Sequence, residues 1–453
     1  MLRLFDTALG SVQELSLRDP GRVSLYVCGS TVYDEPHIGH GRFALVWDVL
    51  RRYLTWSGLS VYYVSNITDI DDKIIDRAES EGRTWSEVAQ QYEKMWWEAM
   101  DRLAIEHPDA EPHATAYVER MVELIQQLVD AGRAYPTTSG VYLAVDTIEG
   151  YGLLARQPLS SLRAGARVAI DQEQGKRSPL DFALWKAAKP GEPSWDSPWG
   201  PGRPGWHTEC VVMALDLLGD DFDLHGGGID LAFPHHENER AQAVGVGRRF
   251  ARRWAHSGMV VVEGGEKMSK SLNNFVTLGE LLEHNDPRAY RLLVLSAHYR
   301  SPMTVTPPVL AAAAGGVERL DAFARRLAET AATAEPDADA LSRFRDRMDD
   351  DLDTPGALAV LFDTVSAAHS AADAGRPESA SLAAAALSMA QAVGLVLGGA
   401  PAEVDDEARA LAVERDRARQ ARDWARADQL RARLVELGWA VEDGPQGTTL
   451  RRP

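Results

Sequence analysis

The sequence predicts an α/β protein that is built around a parallel sheet. Near the N-terminus a strand, a loop, a helix and a second strand follow one another within roughly 40 residues, which is the size of one βαβ unit. The alternation of strands and helices resumes at Trp206 and continues to about Ser271. Beyond it, residues 285–400 are rich in alanine and predict helices only. An α/β part is therefore followed by a helical part.

The N-terminal βαβ unit places polar residues at the ends of its strands. Residues 24–28 have the composition of a short buried strand, and a helix is predicted from about Gly39 to Ser57. A second strand is predicted at 60–65. Parallel sheets bind ligands at the carboxyl ends of their strands, where Cys28 and residues 66–69 would lie.

The rest of the chain divides by composition. Residues 84–132 carry apolar side chains at helical spacing, and the last 50 residues begin with one long periodic helix at about 404–437. Glycine, proline and short strand-like runs predict an insertion before Trp206. The predicted division is an α/β domain at 1–284 with the insertion at about 136–204, a helical region at 285–400 and a small C-terminal domain at 404–453.

The composition is that of a globular protein, with 45% hydrophobic and 25% charged residues among 453. No apolar run reaches the roughly 18 residues that a membrane span needs. The N-terminus lacks the long apolar stretch of a signal peptide, so we expect a cytoplasmic protein that does not bind membranes. The net charge of −19 argues against nonspecific nucleic-acid binding, but leaves open a partner that binds a local basic face.

Cys28 and Cys210 are the only cysteines, and they lie far apart in the sequence. In a reducing compartment such residues bind metals, take part in catalysis or are simply buried, and burial is the commonest case. Cys28 ends a predicted strand, whereas Cys210 directly precedes a helix predicted at 211–218. Both are candidate metal ligands that the cysteine count alone does not decide.

His235 and Glu239 form a second part of a candidate metal site. They follow Pro234, which is suited to opening a helix, and their spacing of four places both on one helical face. Imidazole, carboxylate and thiolate are ordinary zinc ligands. His236 competes as a ligand, but its partner four residues on is Arg240, which cannot bind a cation. An exposed helical pair is the alternative.

His37 and His40 frame a short run at the predicted start of the first helix. Imidazoles at a helix N-terminus, beside glycines that let the backbone approach, form a site for phosphate. The run is not a Walker A loop, because no Gly-Lys-Ser/Thr follows it. A pair of surface histidines is the alternative.

Lys267 and Lys270 lie on a loop predicted at 264–275, after a strand at 257–262. Two lysines on a glycine-flanked, hydroxyl-rich loop could bind a polyphosphate and neutralise the charge that develops during its displacement. A solvated basic turn is the alternative on composition alone.

Two motifs, HIGH at 37–40 and KMSKS at 267–271, occur in that order on a parallel α/β scaffold, which resembles the class I aminoacyl-tRNA synthetases. Further runs across the chain are similar to the cysteinyl-tRNA synthetases, and they lie at 26–29, 66–73, 181–186, 197–210 and 223–239. The resemblance implies a Rossmann-like catalytic domain with an insertion, a stem-contact region and helical bundle, and a small C-terminal anticodon-binding domain.

The resemblance also implies a role for each matching residue. Zinc would be held by Cys28, Cys210, His235 and Glu239. ATP would be bound by His37, Gly39, His40 and Lys270, and the catalytic groups would be His37, His40, Lys267 and Lys270. Cysteine would be bound by Thr68, Trp206 and Asp230, of which Asp230 could serve the ribose instead.

The implied activity is that of a cysteine–tRNA ligase. It would activate cysteine with ATP and Mg²⁺ to cysteinyl adenylate and transfer it to the 3′ end of tRNA(Cys), as a monomer with one zinc ion per chain. The alternative is the cysteine:amino-sugar ligase of mycothiol synthesis, which shares the core motifs but ends before an anticodon-binding region. Residues 404–453 resemble the terminal domain of the synthetases and favour the tRNA ligase.

Overall fold

The computed structural model describes residues 1–156, 175–261, 276–398, 406–421, 423–437, 439–444 and 447–451. The predicted KMSKS run at 267–271 lies outside these residues.

A hairpin, a βαβ unit and three further helices form residues 3–130. Their bounds are β1 (Arg3–Asp6), β2 (Ser11–Glu14), β3 (Arg22–Thr31), α1 (Ile38–Trp56), β4 (Ser60–Thr68), α2 (Asp72–Glu81), α3 (Trp85–Arg102) and α4 (Val118–Asp130). The helix predicted over 84–132 is interrupted between α3 and α4. Pro108 and Pro112 lie in the interruption, where proline disfavours helix, and the backbone of Pro112 accepts a hydrogen bond from Ile67 of β4.

The segment that was predicted as an insertion contains an antiparallel sheet. Its strands are β5 (Ala134–Thr137), β6 (Gly140–Leu143), β7 (Phe182–Ala187) and β8 (Gly202–Pro204), and they pair in chain order. Lys186 on β7 and Arg203 on β8 both form ion pairs with Asp72 at the start of α2. These contacts fasten the antiparallel sheet to the βαβ unit.

The α/β pattern resumes after this sheet. The next elements are α5 (Trp206–Leu217), β9 (Leu224–Gly228), α6 (Glu237–Gly245), β10 (Arg253–Ser257) and β11 (Val260–Val261). Four strands form a parallel sheet in the order β10-β9-β3-β4, as the α/β prediction requires. Cys210 lies inside α5 rather than before a helix, because the helix begins directly after Pro204 and Gly205.

Helices dominate residues 276–398, as predicted. The elements are α7 (Leu278–His284), α8 (Pro287–Leu295), β12 (Met303–Thr304), α9 (Pro307–Ala331), α10 (Ala338–Met348), α11 (Thr354–Asp373) and α12 (Glu378–Ala392). One hydrophobic core continues from the parallel sheet into these helices and includes Trp47, Leu320 and Leu361. The buried Arg291 on α8 binds Asp48 on α1 at 2.5 Å, which adds a polar contact between the two parts.

The C-terminal part contains α13 (Asp406–Gln420), α14 (Trp424–Glu436), β13 (Ala440–Gly444) and β14 (Gly447–Arg451). The prediction of a single helix over 404–437 is therefore wrong. The Asp423 side chain accepts a hydrogen bond from the Arg426 backbone and starts the second helix. Both helices turn apolar residues such as Ala408 and Leu434 toward one small core, so the helical periodicity alone does not reveal the break.

Candidate active site and metal centre

A cleft of about 520 Å³ opens at the carboxyl ends of the parallel strands. Cys28 and Thr31 of β3, Gly228 of β9 and Ser257 of β10 all line it. Open α/β sheets bind their ligands at this edge, because the strand ends and the loops that follow them converge there.

Four side chains meet below the cleft, and we call Cys28, Cys210, His235 and Glu239 the floor donor set. Their ligand atoms lie within 4.8 Å of one another. Sγ of Cys28 is 3.6 Å from Sγ of Cys210 and 3.3 Å from Oε1 of Glu239. Nε2 of His235 is 3.6 Å from Sγ of Cys210 and 3.0 Å from Oε1 of Glu239. The spacing between His235 and Glu239 thus brings both to one point, although α6 begins only at Glu237.

The floor donor set is almost completely buried, with no residue more than 3% exposed. Burial raises the pKa of Glu239, but the charges of His225 and His235 outweigh it and hold the pKa well below its usual range. Burial also opposes ionisation of Cys210, yet hydrogen bonds with Cys28 and His235 lower its pKa to about 6. Since ionised donors bind cations, the arrangement could hold a metal ion.

Two histidines outside the floor donor set hold its members in place. Nε2 of His225 lies 2.7 Å from Oε2 of Glu239, and Nδ1 of His207 lies 2.9 Å from Nδ1 of His235. Such partners orient ligating side chains. His236 also approaches the floor donor set, with Nε2 4.0 Å from Oε1 of Glu239. The sequence argument against His236, that Arg240 four residues on cannot bind a cation, therefore does not exclude it as a ligand. With His225, Cys28 and Glu239 it forms a second group that could hold a metal.

The histidines at the mouth of the cleft, His37 and His40, form what we call the mouth pair. Their rings stack with centroids 3.7 Å apart, and each ring accepts a hydrogen bond from the other residue's backbone at 3.2 Å. His37 thereby caps α1. A Cβ atom at Gly39 would lie 2.8 Å from the His37 ring, so this close packing needs glycine. Burial, followed by the charges of His37 and Lys73, lowers the pKa of His40 well below its usual range.

The three predicted cysteine contacts differ in their positions. Trp206 lines the cleft, is 37% exposed and stacks on His235 with centroids 4.1 Å apart. Asp230 also lines the cleft and is exposed. Thr68 is buried beside the floor, where its hydroxyl donates to Glu209 at 2.7 Å. The structure therefore brings Trp206 and Asp230 into the cleft wall and leaves Thr68 behind it.

Both sides of the predicted KMSKS loop reach the mouth. Val260 lines the cleft before the loop, and Thr277 forms a backbone bridge with His37 after it. Arg42 on α1 is buried and donates to the carbonyl of Met259 at 2.7 Å and to that of Tyr299 at 3.3 Å. Lys267 and Lys270 themselves lie outside the described residues.

Comparison with known proteins identifies the family. The family model described as tRNA synthetases class I (C) catalytic domain matches residues 14–314, and that of the DALR domain matches residues 343–399. The cysteine–tRNA ligase of Halorhodospira halophila is 44% identical over 466 residues, and that of Pectobacterium carotovorum is 45% identical over 464. Each match covers 100% of this chain and of the relative. The chain belongs to the cysteine–tRNA ligase family.

Solved structures share the fold of this cysteine–tRNA ligase family member at low sequence identity. Mycobacterium tuberculosis methionyl-tRNA synthetase in complex with methionyl-adenylate has a TM-score of 0.60 at 15% identity, covering 82% of this chain and 89% of its own. An Agrobacterium radiobacter LeuRS in a ternary complex with tRNA has a TM-score of 0.63 at 11% identity, covering 84% of both chains. These similarities confirm the predicted class I fold.

Several polar residues around the site of this cysteine–tRNA ligase family member were not assigned from the sequence. His225 and Glu209 occur in runs that resemble the family, but their contacts join residues far apart in the sequence. His207 and Arg42 have no local spacing signal that would reveal their partners.

Among the described residues, no helix is both long enough and apolar enough to cross a bilayer.

Proposed function

We propose that the protein is a cysteine–tRNA ligase. It activates cysteine with ATP, which yields cysteinyl adenylate and pyrophosphate, and transfers the cysteinyl group to the 3′ end of tRNA(Cys). The observation that carries this proposal is that Cys28, a member of the floor donor set, lines the same cleft as the mouth pair. In this proposal a metal centre that binds the thiol of cysteine and a helix end that binds the phosphates of ATP share one cleft.

Zinc suits the floor donor set. A tetrahedral zinc ion with bonds of ~2.0–2.3 Å keeps its ligand atoms roughly 3.3–3.8 Å apart. The separations given above run from 3.0 Å between His235 and Glu239 to 3.6 Å between the two sulfurs. Two thiolates disfavour magnesium and calcium, which prefer oxygen ligands. We therefore assign one zinc ion per chain to Cys28, Cys210, His235 and Glu239.

The floor donor set, with its zinc ion, selects cysteine over serine. Shape alone separates two nearly isosteric side chains, such as those of cysteine and serine, by only ~1–3 kcal/mol. When bound, zinc would supply a Lewis acid that binds an ionised thiol far more strongly than a neutral hydroxyl. Trp206 stacks on His235 and faces the cleft, so it packs beside the substrate side chain. Asp230 completes the cysteine site through its carboxylate, and Thr68 supports the site from behind the cleft wall through its hydrogen bond to Glu209.

The mouth binds ATP, which enters with Mg²⁺. His37 and His40 contact its phosphates at the start of α1, where Gly39 lets the backbone approach. Lys267 and Lys270 stabilise the triphosphate as the carboxylate of cysteine attacks the α-phosphorus and pyrophosphate leaves. Because positioning and charge stabilisation suffice for this displacement, no side chain acts as a nucleophile.

The remaining parts bind the tRNA. In this proposal residues 285–400 contact its stem and residues 404–453 read its anticodon, while 1–284 catalyse the reaction. The enzyme acts as a monomer in the cytoplasm, where reducing conditions keep Cys28 and Cys210 free of disulfide bonds and available as metal ligands. Nothing in the described residues favours the amino-sugar ligase.

The decisive experiment compares two amino acids on one tRNA. Purified protein is incubated with tRNA(Cys), ATP and Mg²⁺, and with labelled cysteine or labelled serine. We expect charging with cysteine and at least roughly 1,000-fold less efficient charging with serine, because a metal-bound thiolate adds to the ~1–3 kcal/mol that shape supplies. Equal charging, or cysteine ligation to an amino sugar but not to tRNA, would contradict the proposal.

A further inference from the structure

Lys73 at the start of α2 is a cation of the cleft mouth to which no role has been assigned above. Its side chain lines the cleft together with the mouth pair. The ammonium group stands 5.0 Å from the centroid of the Tyr33 ring, which lines the same wall. Such a cation–π contact keeps a flexible lysine side chain near one position without neutralising its charge.

The three acidic residues that precede Lys73 in the sequence bind groups other than its ammonium. Asp69 accepts two hydrogen bonds from Thr115, at 2.9 Å from its backbone and 2.5 Å from its hydroxyl. Asp71 caps α2 by accepting a hydrogen bond from the Lys73 backbone at 3.0 Å. Asp72 forms ion pairs with Lys186 and Arg203 of the antiparallel sheet. These contacts fix the start of α2 while leaving the ammonium of Lys73 facing the cleft.

Three acidic residues, Asp34, Glu35 and Asp230, line the same cleft, but among the described residues the Lys73 ammonium forms no ion pair within 4.0 Å. The positive charge of Lys73 acts on the mouth pair, because it is one of the causes, after burial and His37, that lower the pKa of His40. His40 belongs to the first turn of α1, where the helix dipole favours an anion. In a protein with a net charge of −19, a cation held beside a helix N-terminus is a local attraction for anions.

We propose that Lys73 binds a phosphate group in the mouth of the cleft, beside His40. The inference rests on the proposed function, which brings two sources of phosphate to this place: the triphosphate of ATP and the backbone phosphates at the 3′ end of tRNA. Lys73 neutralises part of the phosphate charge, and the pairing of Asp72 with Lys186 and Arg203 keeps it available for this task.

The test uses the full-length enzyme with Lys73→Arg, Lys73→Met and Lys73→Glu. Cysteine-dependent ATP–pyrophosphate exchange, which needs no tRNA, measures the ATP arm. Single-turnover transfer from preformed cysteinyl adenylate to tRNA measures the tRNA arm. Lys94→Met is the matched control, because Lys94 on α3 is 77% exposed and pairs only at 3.7 Å with Glu98.

We expect Lys73→Met to lower the efficiency of one arm by about 10-fold, because an exposed cation contributes less than a buried one. Lys73→Glu should be lower still, and Lys73→Arg should stay within about threefold of wild type. A raised KM for ATP in exchange assigns the phosphate to ATP, and slowed transfer alone assigns it to tRNA. If activity falls in the order Lys73→Arg, Lys73→Met, Lys73→Glu, it follows the charge at position 73. A loss of stability would not be expected to follow that charge, so the order separates phosphate binding from unfolding.

The inference is overturned if all three variants match Lys94→Met in both arms. A different failure would affect the proposed function itself. If the wild-type enzyme gave no cysteine-dependent exchange, the assignment as a cysteine–tRNA ligase would be wrong, whereas active wild type with indifferent Lys73 variants would remove only the phosphate site.

Discussion

The floor and the mouth of the cleft use histidine in opposite settings. In the floor donor set, His235 is 1% exposed and its two ring nitrogens contact Glu239 and His207. In the mouth pair, His37 and His40 are partly exposed, and each ring accepts a hydrogen bond from the backbone of the other. The floor is therefore built from contacts between distant elements, whereas the mouth is built within one helix turn.

This difference teaches how one cleft can serve two tasks. A buried cluster whose atoms are held from several sides changes little when a substrate arrives, which suits the selection of a thiol. A helix end that is open to solvent can admit a large charged nucleotide and release pyrophosphate. Substitutions in the floor donor set should therefore affect zinc binding and the use of cysteine, whereas substitutions in the mouth pair should affect adenylate formation and leave the zinc in place.

The largest effect is expected at the floor. Glu239→Ala removes one donor and should lower kcat/KM for cysteine by roughly 1,000-fold together with loss of the zinc, because the ion needs its full ligand set. Glu237→Ala is the matched control, since Glu237 is a buried acid on α6 that binds the Leu154 backbone instead. Metal analysis and pyrophosphate exchange measure both. Full zinc content in Glu239→Ala would disprove the ligand assignment.

The next effect is expected at the mouth. His40→Ala should slow adenylate formation by about 100-fold while the zinc content stays at one per chain, because it removes a group that faces the developing phosphate charge. Pyrophosphate exchange and metal analysis separate the two outcomes. His284→Ala, which changes an exposed histidine on α7, serves as the control. Zinc loss in His40→Ala would erase the distinction between floor and mouth.

A smaller effect is expected where α1 meets the segments beside the mouth. Arg42→Met removes donors to the carbonyls of Met259 and Tyr299 and should lower the free energy of unfolding by about 2–3 kcal/mol. Exchange should fall by roughly 10-fold through a displaced mouth pair, with the zinc retained. Urea unfolding and exchange kinetics check this. Activity and stability equal to wild type would show that Arg42 does not position the mouth.

The smallest effect on activation is expected from the C-terminal part. Deleting residues 404–453 should leave pyrophosphate exchange within roughly twofold of wild type, since that part has its own small core around Leu434 and Trp439. Charging of tRNA(Cys) should fall strongly, because the proposed anticodon contacts are lost. Initial rates of exchange and aminoacylation measure the two. Unchanged charging would remove the anticodon assignment.

Local patterns made part of the fold and of the site predictable. The βαβ unit and the start of α1 follow from strand and helix periodicity. The spacing of four predicted that His235 and Glu239 meet, and they do, although the helix begins only at Glu237. Errors occurred where tertiary contacts decide. The break between α13 and α14 keeps the same buried face on both sides, and Cys210 lies in a helix that starts earlier than the apolar pattern indicates.

The sequence by itself determined which donors are present, since the side chains of Cys28, Cys210, His235 and Glu239 carry their chemistry wherever they lie. The tertiary structure decided that they meet. Cys28 and Cys210 are 182 positions apart, and their sulfurs approach to 3.6 Å only because β3 lies at the centre of the parallel sheet and α5 packs beside it. The partners His225 and His207 arise in the same way. Spacing along the chain specifies neighbours within one helix, whereas packing of the sheet and its helices specifies neighbours across the fold.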